Sequence, residues 1–361
     1  MAIESGTLPH PFFRPPRDGS VDLIAPRELR RLLDGPSPPY LLDVRSEAER
    51  RLAALPDDHH VPLHALPGAL GSLPRDRPIV AYDHLGFLAR RAVAFLQERG
   101  FPLTAALEGG LDEFSRLVDP SLPRYDLDGR GVDVVRRQMP RPDTGCLAYF
   151  VGDPNERAGI LIDPGHDVAP YLAFLRDGDW HLTAIVETHT HADHLAGHAA
   201  LHAATDAPIY VSRLSPAAYP HRRLSEGEAL DFGGEELAVL ETPGHTRDHL
   251  TLRVRDTVFT GDTLLLGSCG RTDLGDGSPD LLWESLTDKL LKLPSATEVY
   301  PAHYGARHAL GDRYVSSIGF ERATNEALRQ PNRAAFLEYM TEGWPPKPAD
   351  FDRIVRSNLE G

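Results

Sequence analysis

Short apolar runs alternate with helical patterns along the first third of the chain. The runs YLLDV (40–44) and PIVAY (78–82) are apolar almost throughout, as are strands that are buried on both faces of a parallel sheet. A helical pattern follows the second run in LARRAVAFLQERG (88–100), where Gly100 provides a C-terminal stop. Strands that alternate with helices in this way predict a small doubly wound α/β domain at 21–118.

The pattern changes to β after a segment rich in proline, glycine and aspartate. We interpret 119–137 as a linker, and 1–20, which is rich in proline and polar residues, as an N-terminal tail. Between 138 and 325, apolar runs such as LTAIVET (182–188) predict strands that end in short polar loops, and these strands form a second domain. The remaining residues, 326–361, are expected to form a helical tail that packs on the second domain.

Composition and charge narrow the class of protein. Hydrophobic residues make up 41% of the chain and charged residues 25%, as in ordinary globular proteins. A net charge of −15 argues against nucleic acid or an anionic membrane as the main partner. No signal peptide and no membrane span is visible, and two cysteines, Cys146 and Cys269, are too few for a disulfide framework. The sequence therefore predicts a soluble, cytoplasmic protein.

Histidines and acids are concentrated where four predicted strands of the second domain end. The stretch ETHTHADHLAGH (187–198) follows one strand, and the motifs TPGHT, GDT and PAH follow three later ones. Loops at strand ends converge on one edge of a sheet, so a rigid sheet can hold a metal there. The candidate metal-site residues are His189, His191, Asp193, His194, His245, Asp262 and His303.

The types of donor in this set indicate its chemistry. Imidazoles and carboxylates without a thiolate favour zinc, iron(II) or manganese over a structural zinc site, which would use cysteine. The spacing H-x-H-x-D-H sends alternate side chains to one side of a turn, so two separate ligand sets can form. Two further histidines, His198 and His202, are expected to be solvated on a helix surface.

The first domain resembles the rhodanese (sulfurtransferase) family in the segments LLDVRSEAE (41–49), IVAYDHLG (79–86) and LEGGLDEF (107–114). The family places a nucleophilic cysteine after a central strand, in a loop of the form C-x-x-G-x-R-S. This chain has Asp83 at that position and lacks the Arg and Ser of the loop. Because a carboxylate forms no stable persulfide, we expect an inactive domain that serves as a scaffold, a docking surface or a dimer contact.

The second domain resembles the metallo-β-lactamase fold in its H-x-H-x-D-H, TPGHT, GDT and PAH motifs, which occur in this order. The resemblance implies an αββα sandwich with a metal site at one edge. Hydrolases of this fold, such as glyoxalase II, cleave thioesters with two zinc ions. For such an enzyme the resemblance implies three sets of residues: His189, His191 and His245 around one ion, Asp193, His194 and His303 around the other, and Asp262 as the bridge.

The segments GSCGRTDL (267–274) and SSIGFERATNEAL (316–328) resemble the persulfide dioxygenases, notably those fused to a rhodanese domain. This resemblance implies one iron(II) per chain, held by His189, His245 and Asp262. Such a set of two histidines and one carboxylate leaves coordination positions open for the substrate and O₂.

The implied reaction oxidises glutathione persulfide, or a similar thiol persulfide, with O₂ to sulfite and thiol. Arg271 is then the candidate for orienting the anionic substrate. The resemblance leaves two roles open for the remaining candidates, which either hydrogen-bond the iron ligands or hold a second metal: His191, Asp193, His194 and His303.

We therefore predict a persulfide dioxygenase whose partners are a thiol persulfide and O₂. The loop 304–311, which differs from that of many relatives, is expected to shape the substrate pocket. A two-zinc thioester hydrolase and a non-enzymatic sulfur-sensing adaptor are the alternatives, and a homodimer is left open.

Overall fold

The structure is a computed structural model that describes residues 21–122, 134–141, 145–303, 315–341, 344, 346–347 and 350–361. The predicted N-terminal tail, most of the predicted linker and the loop 304–311 lie outside the described residues. The chain forms two compact units, and each is described by itself. Residues 21–122, with 315–316, belong to the first unit, and the other described residues belong to the second.

The first unit is a five-stranded sheet with helices between its strands. Its strands are β1 (Leu23–Ile24), β2 (Tyr40–Asp43), β3 (His59–His60), β4 (Ile79–Tyr82) and β5 (Thr104–Leu107), in the spatial order β1-β5-β4-β2-β3. Its helices are α1 (Pro26–Leu33), α2 (Glu47–Leu52), α3 (Leu66–Ala69), α4 (Phe87–Glu98) and α5 (Gly110–Leu117), with 3₁₀ turns at Leu63–Ala65 and Leu70–Ser72. The described strand pairs are all parallel, which confirms the predicted doubly wound α/β fold.

The second unit contains two six-stranded sheets. The first consists of β6 (Val135–Arg141), β7 (Cys146–Asp153), β8 (Ala158–Ile162), β9 (His181–Val186), β10 (Ile209–Ser212) and β11 (Arg222–Leu224), in the order β11-β10-β9-β8-β7-β6. The second consists of β12 (Ala229–Phe232), β13 (Glu235–Glu241), β14 (Leu250–Val254), β15 (Thr257–Gly261), β18 (Glu298–Pro301) and β19 (Ser316–Ser317), in the order β12-β13-β14-β15-β18-β19. Between β15 and β18 in the chain, β16 (Leu264–Leu265) and β17 (Ser268–Cys269) form a small antiparallel pair.

The described residues of the second unit include six helices. They are α6 (Ala169–Asp177), α7 (His198–Thr205), α8 (Pro279–Glu284), α9 (Ile318–Thr324), α10 (Arg333–Tyr339) and α11 (Phe351–Glu360), with a π-helical turn at Ser285–Lys289 and a 3₁₀ turn at Leu290–Lys292. Helix α6 packs its Tyr171 and Leu175 into a core with Phe150 and Leu161 of the first sheet. The described helices include none with both the length and the apolar character of a transmembrane span.

The second unit begins earlier than the sequence indicates. Strand β6 starts at Val135, inside the predicted linker 119–137, because it pairs with β7 over seven residues, from Val135–Gly152 to Arg141–Cys146. The polar and proline-containing sequence of β6 hides this strand, whose pattern of burial is irregular. The pairing matters for the site because it fixes the start of β7, at Cys146.

Candidate metal centre

Three strand ends bring together two histidines and one aspartate. His189 follows β9, His245 follows β13 and Asp262 follows β15, and one ligand atom of each lies within 4.8 Å of the other two. Asp262 Oδ2 is 3.4 Å from His245 Nε2 and 4.0 Å from His189 Nε2. These three residues, which the resemblance to persulfide dioxygenases assigns to iron, thus form one cluster.

Hydrogen bonds fix the tautomer of both histidines. His189 Nδ1 lies 2.9 Å from Thr188 Oγ1, and this hydroxyl donates to Asp163 Oδ2 at 2.8 Å, so the ring must donate its Nδ1–H to Thr188. His245 Nδ1 lies 2.7 Å from the carbonyl oxygen of Arg271, which can only accept. Each ring therefore keeps a lone pair on Nε2, as a metal ligand must.

The third ligand candidate, Asp262, is oriented by a hydrogen bond with His303. Its Oδ1 accepts a hydrogen bond from His303 Nδ1 at 2.6 Å, so Oδ2 is the oxygen left to face the two histidines. Burial would raise the pKa of Asp262, but the charge of His303 and its hydrogen bond hold that pKa well below its usual range. The carboxylate is therefore ionised, as a metal ligand should be.

His249, which the sequence analysis did not select, contacts two members of the cluster, His189 and Asp262. Its ring stacks on that of His189 at 4.8 Å between centroids, and its Nε2 accepts the backbone N–H of Asp262 at 2.9 Å. Burial lowers the pKa of His249 to about 3, so this ring is neutral. Its position four residues after His245 was the available sequence signal.

Glycines allow the loops to approach the cluster closely. Gly244 has a φ of 152°, and a Cβ there would lie 2.4 Å from the Cα of Leu282 in α8, so the loop that carries His245 packs directly on this helix. A Cβ at Gly270 would lie 2.1 Å from the carbonyl oxygen of Asp262, to which Gly270 donates a hydrogen bond. The segment 267–274 is thus held against the metal cluster through its backbone.

A second cluster contains a thiol. Cys146 Sγ lies 2.7 Å from Asp193 Oδ2 and 3.2 Å from His303 Nε2, and Cys146, Asp193 and His194 each place a ligand atom within 4.8 Å of the others. The sequence analysis therefore missed Cys146, whose thiol lies against the candidate site residues Asp193 and His303. Cys146 reaches it because the start of β7 bridges His303, at the end of β18.

Charge holds this second cluster together. His303 Nε2 donates to Asp193 Oδ2 at 2.7 Å while its Nδ1 donates to Asp262. Burial alone would lower the pKa of His303, but the two carboxylates raise it well above its ordinary value, which makes the ring a cationic bridge. Burial alone would likewise raise the pKa of the Cys146 thiol, but the imidazoles of His194 and His303 lower it to about 7.

His191 lies in a third cluster, with two buried acids. Its Nε2 is 3.1 Å from Asp163 Oδ1 and 3.2 Å from Glu187 Oε2. His198 Nδ1 lies 2.9 Å from the other oxygen of Glu187. The expectation that His198 is solvated is wrong, because α7 begins at this residue and turns its ring inward, whereas His202 on the same helix is exposed.

The C-terminal helix holds the loop from which His191, Asp193 and His194 project. Asn358, in α11, donates from Nδ2 to the carbonyl oxygens of His191 at 3.0 Å and His194 at 2.8 Å. Its Oδ1 accepts the backbone N–H of Ala196 at 2.9 Å. One buried side chain therefore satisfies three backbone groups of this loop.

Two family models match the chain, the metallo-beta-lactamase superfamily at residues 141–303 and the rhodanese-like domain at residues 25–117. "Persulfide dioxygenase ETHE1, mitochondrial" from Bos taurus is 34% identical over 235 residues, which span 64% of this chain and 90% of the relative. The chain belongs to the persulfide dioxygenase family. This confirms the predicted metallo-β-lactamase fold, the rhodanese-like domain and the type of enzyme.

The chain is also similar to a solved structure and to a hydrolase. The crystal structure of ETHE1 from Myxococcus xanthus is 33% identical with a TM-score of 0.59, and the match covers 62% of this chain and 98% of that chain. A hydroxyacylglutathione hydrolase from Rhodopseudomonas palustris (strain BisB18) is 39% identical over 218 residues, which span 59% of this chain and 81% of the relative. The hydrolase match keeps the thioester alternative relevant.

The side chain of Arg271 has a protein partner. Its guanidinium forms two hydrogen bonds of 2.7 Å with the carboxylate of Asp273, and the Arg271 side chain is only 14% exposed. The residue contributes to the metal cluster through its carbonyl oxygen, which accepts from His245. A role of the guanidinium in orienting substrate stays a prediction for this member of the persulfide dioxygenase family.

In the first unit, the carboxylate of Asp83 is hydrogen-bonded to the backbone of the loop and helix that follow it. Its carboxylate accepts the backbone N–H groups of Phe87 at 3.1 Å, Leu88 at 3.2 Å and Ala89 at 3.3 Å. Burial raises the pKa of Asp83, against the opposing effect of these backbone donors. The amides that open α4 are thus satisfied from within the chain. That this rhodanese-like domain is inactive stays a prediction.

Proposed function

We propose that the protein is an iron(II) persulfide dioxygenase that oxidises glutathione persulfide, or a similar thiol persulfide, with O₂ and water to sulfite and thiol. The observation that carries this proposal is the cluster of His189, His245 and Asp262, in which two Nε2 lone pairs and one carboxylate oxygen converge. Two imidazoles and one carboxylate are the donors of the iron(II) sites that activate O₂.

The residues around this cluster fit one metal ion. Thr188 and the carbonyl oxygen of Arg271 hold the two rings with Nε2 free, and His303 occupies one oxygen of Asp262 so that the other can bind. Such hydrogen bonds orient ligands and tune their basicity. When bound, iron(II) would supply electrons and open positions at which persulfide and O₂ meet.

The remaining candidates support a single iron over two equivalent zinc ions. His191 Nε2 lies at ion-pair distance from the carboxylates of Asp163, at 3.1 Å, and Glu187, at 3.2 Å. Asp193 is occupied by the thiol of Cys146 and by His303. A dinuclear hydrolase site would require these contacts to be exchanged for metal bonds.

Two-zinc thioester hydrolysis is the second candidate, favoured by the similarity to hydroxyacylglutathione hydrolase and by the presence of all seven potential ligands. The main proposal includes glutathione, or a similar thiol, as the carrier of the sulfur, and a cytoplasmic location for the protein. The two free cysteines are consistent with a reducing compartment.

The decisive measurement is metal content together with O₂ uptake, on protein prepared without oxygen and supplied with glutathione persulfide. We expect one iron per chain and one sulfite formed for each O₂ consumed. His189→Ala should abolish both iron binding and O₂ uptake, whereas His202→Ala, which changes an exposed histidine, should leave both unchanged. Two zinc ions per chain, no O₂ uptake and cleavage of a glutathione thioester would establish the hydrolase instead.

A further inference from the structure

The guanidinium of Arg271 is held along one edge and over one face. Its Nε and Nη2 donate to the two carboxylate oxygens of Asp273, each at 2.7 Å. Its Cζ lies 5.9 Å from the ring centroid of Trp344, within the distance of about 6 Å at which an aromatic face attracts a cation. The remaining edge, formed by Nη1 and the second hydrogen of Nη2, has no partner in the part of the chain that the structure describes.

We propose that Trp344 positions Arg271 and so determines specificity for the thiol that carries the sulfur. With one edge bound to Asp273 and one face against the indole, the guanidinium presents its remaining edge to a carboxylate of that thiol, such as those of glutathione. Such an edge donates two parallel hydrogen bonds to a carboxylate. The inference rests on the proposed function, because it concerns which thiol persulfides the same site accepts.

The ion pair with Asp273 fixes the guanidinium only relative to its own loop. Asp273 follows Arg271 by two residues and its side chain is 42% exposed, so the pair moves with the loop and adds little order. Trp344 comes from a different part of the chain, after α10. The indole is itself anchored, because its Nε1–H donates to the carbonyl oxygen of Met340 at 2.8 Å. Trp344 can therefore fix the guanidinium relative to the rest of the second unit.

Helix α10 connects this indole to the elements that surround the metal cluster. Phe336 of α10 is buried and packs on Trp283 of α8, with 5.2 Å between the ring centroids. Met340, directly after α10, is also buried, and its sulfur lies 3.6 Å from that of Cys269, two residues before the guanidinium. The residue that anchors the indole thus also contacts the loop on which the indole acts.

Removal of the aromatic face should weaken binding of thiols that carry a carboxylate. Trp344→Leu keeps an apolar side chain without that face, and its affinity for glutathione should fall about 3–10-fold, as expected when a partly exposed cation–π contact is lost. Trp344→Phe keeps an aromatic face and should retain the affinity within about twofold. Metal content should not change in either variant, because the carbonyl oxygen of Arg271 still holds His245.

Calorimetric titration of the full-length protein with glutathione tests the proposal without turnover. Glutathione diethyl ester, which keeps the thiol and the peptide but masks the carboxylates, is the matched ligand. We expect the natural protein to bind glutathione about tenfold more tightly than the ester, the effect of one charged hydrogen bond. Trp344→Leu should lose affinity for glutathione alone. In an Arg271→Ala background, Trp344→Leu should cause no further loss.

Phe351→Leu is the matched control variant. The Phe351 ring lies 4.2 Å from Lys347 Nζ, so this substitution removes a cation–π contact that does not involve Arg271, and affinity for glutathione should stay unchanged. Equal losses for glutathione and its ester in Trp344→Leu, or the same loss in Trp344→Phe, would overturn the proposal, as would no preference of the natural protein for glutathione. Preference for glutathione that depends on Trp344, without O₂ uptake, would contradict the dioxygenase activity alone.

Discussion

The two histidines of the proposed iron site depend on groups that carry no catalytic signature. His189 is oriented by a threonine hydroxyl, which is itself anchored to Asp163, and His245 is oriented by a main-chain carbonyl oxygen. The carbonyl belongs to Arg271, whose side chain was predicted for a different role. The backbone and the side chain of this residue can therefore be tested separately.

Arg271→Ala should leave the metal content unchanged, because the carbonyl oxygen that holds His245 is retained. If the guanidinium orients the anionic persulfide, the variant should raise KM about 10–100-fold, the range expected when a charged hydrogen bond of about 1.5–3 kcal/mol is lost. Metal analysis and steady-state O₂ uptake measure the two effects.

Asp273→Asn provides the control for the Arg271 variant. It breaks the same ion pair but keeps the guanidinium, and Asp273 is half-exposed, so the pair itself contributes little stability, about 0–1 kcal/mol. Its KM should stay near that of the natural protein. Equal and small effects of the two substitutions would show that Arg271 is a structural ion-pair partner.

At the scale of the elements, the strands and the loops that follow them can be predicted, because they depend on the local pattern of apolar and polar residues. Buried strands followed by short polar loops predict that His189, His245 and Asp262 meet at one sheet edge. The structure brings them together, but from two sheets, because His189 follows β9 of the first sheet and the other two follow β13 and β15 of the second. Cys146 was missed because its contact with His303 arises from a β-bridge between residues 157 positions apart. No local periodicity encodes that register.

The contact of α11 with the loop that carries His191, Asp193 and His194 could not be predicted from the sequence for the same reason. A helical tail on the second domain is predicted from pattern, but the residue that makes the contact, Asn358, is separated from His191 by 167 positions. Asparagine on a helix is ordinarily solvent-exposed. Only the tertiary packing shows that its amide satisfies three backbone groups.

Asn358→Ala should loosen the loop that carries His191, Asp193 and His194. Three buried backbone groups lose their partner, each at a cost of up to about 1–3 kcal/mol. We expect the bound metal to be lost to a chelator about tenfold faster, or more, than from the natural protein. The rate of metal release, followed with a chromogenic chelator, measures this effect.

Asn332→Ala is the matched substitution for comparison. Asn332 caps α10 by accepting the backbone N–H of Ala335 at 3.0 Å, so its loss should reduce stability by about 1 kcal/mol. Because this cap makes none of the contacts that are described for Asn358 with the loop of His191, Asp193 and His194, metal release should keep its normal rate. Equal rates of release from the two variants would contradict the positioning role of Asn358.

At the scale of the whole molecule, metal-ligand chemistry and the sulfurtransferase-like fold reside in different units. The second unit holds all the clustered metal-ligand candidates found among the described residues, and the first unit keeps the parallel sheet of a rhodanese-like domain without its cysteine. The fold of the first unit could be predicted because strands and helices alternate in a regular order. The engagement of Asp83 by the amides of its own loop could not, since it depends on the backbone conformation after Gly86.

We expect the full-length chain to form no thiocyanate from thiosulfate and cyanide, because Asp83 provides no thiol and occupies the amides of the loop. Asp83→Cys should free those amides and supply a nucleophile. This variant should then take up one sulfur atom at residue 83, detected by mass spectrometry of the peptide that contains it. Turnover should stay low, because the Arg and Ser of the family loop are replaced by Leu88 and Ala89.

Asp83→Ser separates the two effects of that substitution. It also releases the backbone donors of Phe87, Leu88 and Ala89 but supplies no thiol, so it should take up no sulfur. Peptide mapping distinguishes residue 83 from Cys146 and Cys269, the two other positions where sulfur could bind. Thiocyanate formation by the natural chain that survives Cys146→Ser and Cys269→Ser would show that the first unit transfers sulfur by another route, and the inactive-domain interpretation would then be abandoned.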